Sequence, residues 1–277
     1  MCTASTMTPV MIALVTSLSP RYGTEQIVWA RQVSQLLVLS IAFGPRLGTG
    51  VLRTPLLRWQ ILRSTLLLAS SLLLYAGAQL LPLAKSTSLN LTGPLFVGLL
   101  AWPLLGERPT WPRMLAIGIG LSGALLIARP TGAIFHPAAF LILGAALCFA
   151  LFQILTRFVG RRDRPETSAV YSVLVGAIAL SLFVPFAWSP IQGAADLSLM
   201  LLLGVLGALG HYCLARALVH APANLVAPFI YWQLVGAIVI GYIASGEIPD
   251  RPTAIGAALI VGAGLVLGWR ETRERHG

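Results

Sequence analysis

Two ionisable side chains that stand alone inside long apolar segments are the residues of this chain best placed to do chemistry. Arg31 and His211 each lie within a run of mostly aliphatic residues. A charge in such a run is expensive unless it faces a cavity or a partner. Arg31 could pair with a ligand anion, and His211 could relay protons because imidazole titrates near neutrality. The alternatives are that Arg31 extends its head group to the nearer surface and that His211 only packs.

Tyr231, Trp232 and Gln233 form a second group of candidates, about ten residues from either end of the apolar run 222–245. Aromatic residues that anchor a helix at a membrane surface lie near its ends, so this central position favours a cavity. A planar ligand would stack on the rings, and the amide offers both a donor and an acceptor. Similar side chains inside other apolar runs either line the same cavity or hydrogen-bond a neighbouring helix. These are Tyr75, Gln79, Thr87, Asn90, Gln153 and Tyr171.

Carboxylates, which most acid–base mechanisms require, lie outside the central parts of these runs. All nine Asp and Glu occur near the ends of runs, in the gaps between them or in the C-terminal tail. Glu107 and Glu247 each precede a helical run, where a carboxylate stabilises the helix N-terminus. The three cysteines form no CxxC pair, and no Gly-rich phosphate loop occurs. We therefore predict no catalytic residue, no metal or other cofactor, and no enzyme activity.

The composition predicts that these residues are positioned by helices that cross a membrane. Of 277 residues, 57% are hydrophobic and 10% are charged, with a mean hydropathy of +0.83. Roughly a quarter of a soluble domain is charged. Because lipid cannot satisfy backbone N–H and C=O groups, continuous apolar runs of roughly 20 residues must be helices. The sequence thus predicts an all-α membrane protein whose ten transmembrane helices lie at about 2–19, 25–43, 59–80, 84–105, 111–128, 137–158, 167–186, 197–217, 222–245 and 253–269.

The basic residues lie mainly in the gaps between apolar runs and predict an orientation. The net charge is +10, but the Lys and Arg form no single face, so nucleic acid binding is not predicted. With a cytoplasmic N-terminus, fourteen of the nineteen Lys and Arg fall in cytoplasmic loops or the tail, among them Arg58 and Arg63. This asymmetry predicts a multi-pass protein of the bacterial inner membrane with both termini in the cytoplasm. The expected partners are the lipid bilayer and a small-molecule substrate, in a monomer or a homodimer.

A repeat at an offset of 140 residues divides the chain in two. The segment GERPTWP at 106–112 recurs as GEIPDRP at 246–252. Each half holds five predicted helices, and because five is an odd number the two copies must be inverted. We predict two inverted five-helix repeats, 1–134 and 135–277, the second ending in a short basic cytoplasmic tail. Inverted repeats build carriers whose substrate site lies near the midplane between the halves.

Two segments around this repeated motif resemble a known family. Residues 80–130 and 217–250 resemble the ends of the two repeats of the EamA family, in the drug/metabolite transporter superfamily. Within that family, EQIVWARQ at 25–32 and APFIYWQLVGA at 227–237 are similar to the branch with riboflavin uptake carriers. The resemblance covers nearly the whole chain and is specific for the family rather than for a substrate.

The resemblance implies a secondary transporter that moves a small organic metabolite by alternating access, with riboflavin uptake ranked first. Export of amino-acid-like metabolites and transport of S-adenosylmethionine are the alternatives. A membrane scaffold subunit is the alternative without transport. Because no carboxylate lies deep in the predicted spans, we expect facilitated diffusion, exchange, or a proton path through histidine.

Overall fold

A computed structural model describes residues 2–105, 111–128, 137–160, 162–220, 232–246 and 248–273. Most of these residues are helical, and none of them lies in a strand. Short 3-10 segments at Gly48–Leu52 and Val184–Ala187 join or extend the α-helices. The α-helices are α1 (Cys2–Leu18), α2 (Thr24–Leu47), α3 (Leu57–Ala78), α4 (Leu83–Asn90), α5 (Gly93–Leu105), α6 (Trp111–Ala128), α7 (Ala138–Val159), α8 (Pro165–Phe183), α9 (Ala194–His220), α10 (Trp232–Ser245) and α11 (Arg251–Arg273).

The surface of this bundle is apolar, as lipid requires. Large hydrophobic side chains such as Ile41, Phe183 and Ile243 are exposed, and a soluble monomer rarely leaves so much apolar surface uncovered. Within the described residues, three helices are long and apolar enough to cross a membrane by themselves, namely Leu57–Ala78, Ala138–Thr156 and Glu166–Ala187. The all-α fold class predicted from the sequence is confirmed, and the chain is a multi-pass membrane protein.

The predicted span 84–105 is two helices rather than one. Helix α4 ends at Asn90 and α5 begins at Gly93, so the continuous helix predicted there is wrong. Pro94 in the first turn of α5 lacks a backbone N–H, which a position at the start of a helix does not need. The Thr92 hydroxyl donates to the Leu89 carbonyl at 2.7 Å and so satisfies one backbone group at the break. Interrupted helices of this kind commonly line substrate sites in transporters.

Helix packing follows a two-fold pattern between the two halves of the chain. Helix α2 packs against α8 and α9, α3 against α7 and α8, and α1 against α9 and α10. Helix α4 packs against α7 and α10, and α6 packs against α11. The same contacts result when each helix of one half exchanges places with its counterpart in the other: α1 with α7, α2 with α8, α3 with α9, α4 with α10 and α6 with α11. The predicted boundary between residues 134 and 135 lies outside the described residues.

The pair α6 and α11 approaches closely at two glycines. A Cβ atom added at Gly256 would lie 2.6 Å from the Gly123 carbonyl oxygen. A Cβ atom added at Gly123 would lie 2.7 Å from the Gly256 carbonyl oxygen. Small residues at a crossing let membrane helices pack backbone to backbone, which substitutes for the missing hydrophobic effect in lipid.

Candidate functional site

Arg31 is buried in the middle of the bundle rather than extended to the surface. Its side chain is 6% exposed, and its Nη2 atom donates to the Ser71 hydroxyl on α3 at 2.9 Å. The guanidinium lies over the ring of Tyr75, 5.7 Å from the ring centroid. On the other side it approaches α9 at Gly207, where an added Cβ would lie 3.7 Å from Nη1. Arg31 thus links α2 to α3 of its own half and to α9 of the other.

Gln32 adds a second polar group to the same helix. It is fully buried, and neither its Nε2 nor its Oε1 atom has a hydrogen-bond partner among the described residues. The amide fits against α8 because residue 176 is glycine, where an added Cβ would lie 2.5 Å from Nε2. Arg31 Nε is also buried without a partner in the described part of the chain. Buried polar groups are nearly always paired, so these atoms are candidates for contact with a ligand.

Tyr75 and Gln79 both lie against α2. Tyr75 is buried beneath Arg31. Gln79 Nε2 donates to the Thr24 hydroxyl at the start of α2, at 3.0 Å. Together they line α2 from Arg31 to its N-terminal end.

The other predicted candidates are distributed around the interrupted helix and the second half. Thr87 on α4 is fully buried, and its hydroxyl has no hydrogen-bond partner within the described ranges. Asn90 is half-buried at the end of α4, beside the break. Gln233 is buried on α10, which packs against α4 and α1. Gln153 is half-buried on α7, which packs against α3.

Tyr171 has a structural contact in place of a free hydroxyl. Its hydroxyl donates to the Leu52 carbonyl at 2.9 Å and so ties α8 to the 3-10 segment before α3. Three predicted candidates lack described side chains. His211 lies within α9 and Trp232 begins α10, but their side chains are outside the described set, as is all of Tyr231.

Arg63 is a buried residue that sequence reasoning missed. The charge distribution predicted a cytoplasmic loop position, but Arg63 lies inside α3 and is 1% exposed. Its Nη2 atom donates to the Ser168 carbonyl at 2.5 Å and to the Ser172 hydroxyl at 3.0 Å. Its Nη1 atom donates to the Thr156 hydroxyl at 3.2 Å, and the guanidinium lies over Phe152. Arg63 therefore fastens α3 to α7 and α8.

Two carboxylates of the second half each hold a segment of the first half. Asp196 at the start of α9 accepts from Tyr22 at 2.7 Å and pairs with Arg21 at 2.8 Å. Asp163, between α7 and α8, accepts from Thr54 and from Gln60 Nε2. The first contact joins the α1–α2 turn to the start of α9, and the second joins the α7–α8 turn to the segment before α3. Each contact therefore takes the place of the other when the two halves are exchanged.

The Tyr22 hydroxyl is held from two sides at the α1–α2 turn. It accepts from the backbone N–H of Gln192 at 2.7 Å while it donates to Asp196. Burial raises the pKa of this hydroxyl above its ordinary value, and the hydrogen bond to the Asp196 carboxylate adds to that shift. Tyr22 therefore stays protonated and keeps its donor through the neutral range.

An apolar exterior, two sets of helices with matching contacts and buried polar groups among them define a transporter-like membrane protein. The chain belongs to the EamA-like transporter family, whose sequence model matches residues 1–129 and again residues 136–269. The predicted family is confirmed.

Named relatives are consistent with this membership. The chain is 30% identical to a riboflavin transporter of Vibrio cholerae, over 81% of this chain and 76% of the relative. It is 31% identical to a riboflavin transporter of Rhizobium johnstonii, over 86% and 79%. It is 28% identical to an S-adenosylmethionine uptake transporter of Rickettsia conorii, over 83% and 78%. The chain is therefore a small-molecule transporter and not an enzyme, as predicted.

A solved crystal structure shares the fold. It superposes with a TM-score of 0.63 at 20% sequence identity and covers 95% of this chain and 96% of its own. At this identity the likeness concerns the fold alone.

Proposed function

We propose that this chain is a secondary transporter that takes up a small planar metabolite across the bacterial inner membrane by alternating access, with riboflavin as the first candidate. The observation that carries the proposal is the set of buried, unpartnered polar atoms of Arg31 and Gln32 on α2. Helix α2 contacts α3 of its own half and α8 and α9 of the other, so a ligand there would lie between the halves.

The architecture supports alternating access. We propose two inverted repeats, 1–134 and 135–277, and the two matches of the family model over residues 1–129 and 136–269 support a division of the chain there. If the repeats are inverted, the Asp196 and Asp163 contacts lie at opposite membrane faces. Each contact would then close one entrance, and opening one while the other stays closed is the rocking that inverted-repeat carriers use. Both termini are proposed to lie in the cytoplasm.

The chemistry of the buried groups supports a flavin. The isoalloxazine ring carries an imide edge on which an N–H lies between two carbonyl oxygens. Arg31 supplies donors for a carbonyl, and the Gln32 amide supplies both a donor and an acceptor, so the two side chains complement this edge. Trp232 and Tyr231, at the predicted site, are suited to stack on the ring system. Two relatives at 30% and 31% identity are named riboflavin transporters.

S-adenosylmethionine uptake is the second candidate. It is favoured by the relative of that name at 28% identity. Its adenine is also planar, but the molecule carries a fixed positive charge on sulfur. A buried arginine therefore repels the sulfonium of S-adenosylmethionine, whereas riboflavin carries no such charge.

Riboflavin uptake by cells that cannot synthesise the vitamin tests the proposal. Expression of the chain is expected to restore growth on micromolar riboflavin. We expect uptake of labelled riboflavin to fall at least about tenfold in each of three variants, Arg31→Gln, Asn90→Ala and Trp232→Ala. Arg58→Gln is the matched control, because Arg58 is exposed near the start of α3.

Membrane content of each variant is measured by immunoblot, so that poor insertion is separated from lost binding. Uptake no greater than that of the empty vector, with the protein present in the membrane, would reject riboflavin. Unchanged uptake in all three site variants would reject the site.

A further inference from the structure

The charge environment of Arg31 is unusual for a buried arginine. Its described contacts are with neutral groups, namely the Ser71 hydroxyl, the Tyr75 ring and the α9 backbone near Gly207. Glu25 lies in the first turn of α2, six residues earlier, which is about 9 Å along the helix axis. A salt bridge joins Arg21 to Asp196 at the α1–α2 turn, away from Arg31 in the sequence.

The remaining acidic residues also lie away from the middle of the apolar runs. Asp163, Glu166, Asp196 and Asp250 lie just before or in the first turn of a helix. The others are Glu107, Glu247, Glu271 and Glu274, outside the central parts of the apolar runs. The carboxylates of the sequence therefore lie at or near the ends of the apolar runs, whereas Arg31 lies farther inside one.

We infer that Arg31 makes this transporter select its substrate by charge, accepting uncharged or anionic molecules with an acceptor group and rejecting molecules whose net charge is positive. The inference rests on the proposed function, because it requires that substrate bind beside Arg31. It assigns Arg31 as the residue that distinguishes the two substrates for which the relatives are named.

The guanidinium favours an acceptor because its own hydrogen bonding is incomplete. Its Nε atom is buried without a partner in the described ranges, and the neighbouring Gln32 amide is in the same condition. A carbonyl or carboxylate oxygen of the substrate would satisfy Nε, and an imide edge would also engage Gln32. A ligand without such an acceptor leaves these buried groups unpaired, which weakens its binding.

The same guanidinium disfavours a cation. A unit positive charge about 6 Å away, in an effective dielectric of about 20, binds about 100-fold more weakly than its uncharged counterpart. An aromatic ring can offset such a charge, but Arg31 itself lies over Tyr75. S-adenosylmethionine could pair its carboxylate with Arg31, yet its ammonium and sulfonium would still leave a net positive ligand beside the arginine.

The test compares two ligands that differ in one charge. S-adenosylhomocysteine lacks the sulfur-bound methyl group of S-adenosylmethionine and so lacks the sulfonium charge, while the rest of the molecule is the same. Binding of both compounds and of riboflavin to the purified full-length protein is measured by titration calorimetry. The unaltered protein is expected to bind S-adenosylhomocysteine at least about tenfold more tightly than S-adenosylmethionine. This factor is smaller than the factor of about 100 from Coulomb's law, because solvent and counterions screen part of the charge.

Variants assign the discrimination to one side chain. In Arg31→Gln the preference is expected to shrink to about threefold or less, and in Arg31→Lys, which keeps the charge, it should persist. Arg58→Gln is expected to behave as the unaltered protein because that arginine is exposed. The comparison on the unaltered protein remains decisive if Arg31→Gln does not fold.

The outcomes separate the inference from the choice of riboflavin. Equal or tighter binding of S-adenosylmethionine by the unaltered protein overturns the inference, as does an unchanged preference in folded Arg31→Gln. Failure to bind riboflavin, together with a preference that disappears in Arg31→Gln, supports the inference and rejects the flavin. Failure to bind any of the three compounds counts against both.

Discussion

Gly256→Ala tests the helix packing in depth, because it adds one methyl group at the α6–α11 crossing. The new Cβ would lie 2.5 Å from Ile127 Cγ1 and 2.6 Å from the Gly123 carbonyl oxygen. The Ile127 side chain can move away by changing its rotamer, but the Gly123 carbonyl is fixed in the helix backbone. Since carbon contacts are comfortable near 3.5 Å, the two backbones must separate by roughly 1 Å.

The expected size of the effect follows from two opposing contributions. Overpacking a close contact costs about 1–3 kcal/mol. Alanine in place of glycine favours the helix by about 1 kcal/mol. Gly256→Ala is therefore expected to lower the free energy of unfolding by up to about 2 kcal/mol.

Gly262→Ala is the matched control on the same helix. A Cβ atom at Gly262 meets nothing within 4 Å, so only the gain in helix propensity remains. Both variants are unfolded reversibly in detergent mixtures and followed by circular dichroism. We expect Gly262→Ala to be at least as stable as the unaltered protein and Gly256→Ala to be less stable. Equal stability of the two variants would show that the helices do not cross at these glycines.

Three further substitutions test single contacts. Arg63→Gln removes the guanidinium that donates to acceptors on α7 and α8, and it should lower the free energy of unfolding by about 2–4 kcal/mol in the same assay. Exposed Arg58→Gln should change the free energy of unfolding little. A loss no larger than that of the control would contradict the burial of Arg63. Tyr22→Phe removes the donor to Asp196 and should lower the melting temperature at pH 7. Because the folded pKa of Tyr22 is raised above 10.0, the stability that its hydrogen bond contributes is full below pH 10.0 and is lost as pH rises through the raised pKa. The difference in melting temperature between Tyr22→Phe and the unaltered protein should therefore narrow at high pH. A constant difference would argue against the raised pKa. Tyr171→Phe frees the Leu52 carbonyl and should cost about 1 kcal/mol without reducing riboflavin binding at saturation, and a loss of binding would place Tyr171 at the site.

The helices themselves follow from the sequence because long apolar runs in lipid have one satisfactory backbone conformation. The run predicted at 59–80 is Leu57–Ala78, and the run predicted at 137–158 is Ala138–Val159. The break after Asn90 was not predicted, because the polar residues around it lie within a longer apolar stretch and average hydropathy passes over it. Pro94 is the local signal that a helix starts there.

The interior was less predictable because burial depends on partners distant in the chain. Arg63 lies near the end of an apolar run, so the charge asymmetry placed it in a loop, although Gln60, Arg63 and Leu67 recur at helical spacing. Its partners on α7 and α8 are about 90 to 110 residues away. Arg31 stood out as a charge in an apolar run, whereas Gln32 did not, because an uncharged amide beside it gives no separate signal. Gln32 was recognised only from its burial against Gly176.

Counterflow in proteoliposomes tests the central claim most directly. Vesicles containing the purified chain and loaded with unlabelled riboflavin are diluted into labelled riboflavin, and the label inside is followed over time. We predict a transient accumulation of label above equilibrium with the unaltered protein and with Arg58→Gln, and a strongly reduced one with Arg31→Gln. Equilibration no faster than in protein-free vesicles, for riboflavin and for S-adenosylmethionine alike, would contradict the assignment of substrate and site.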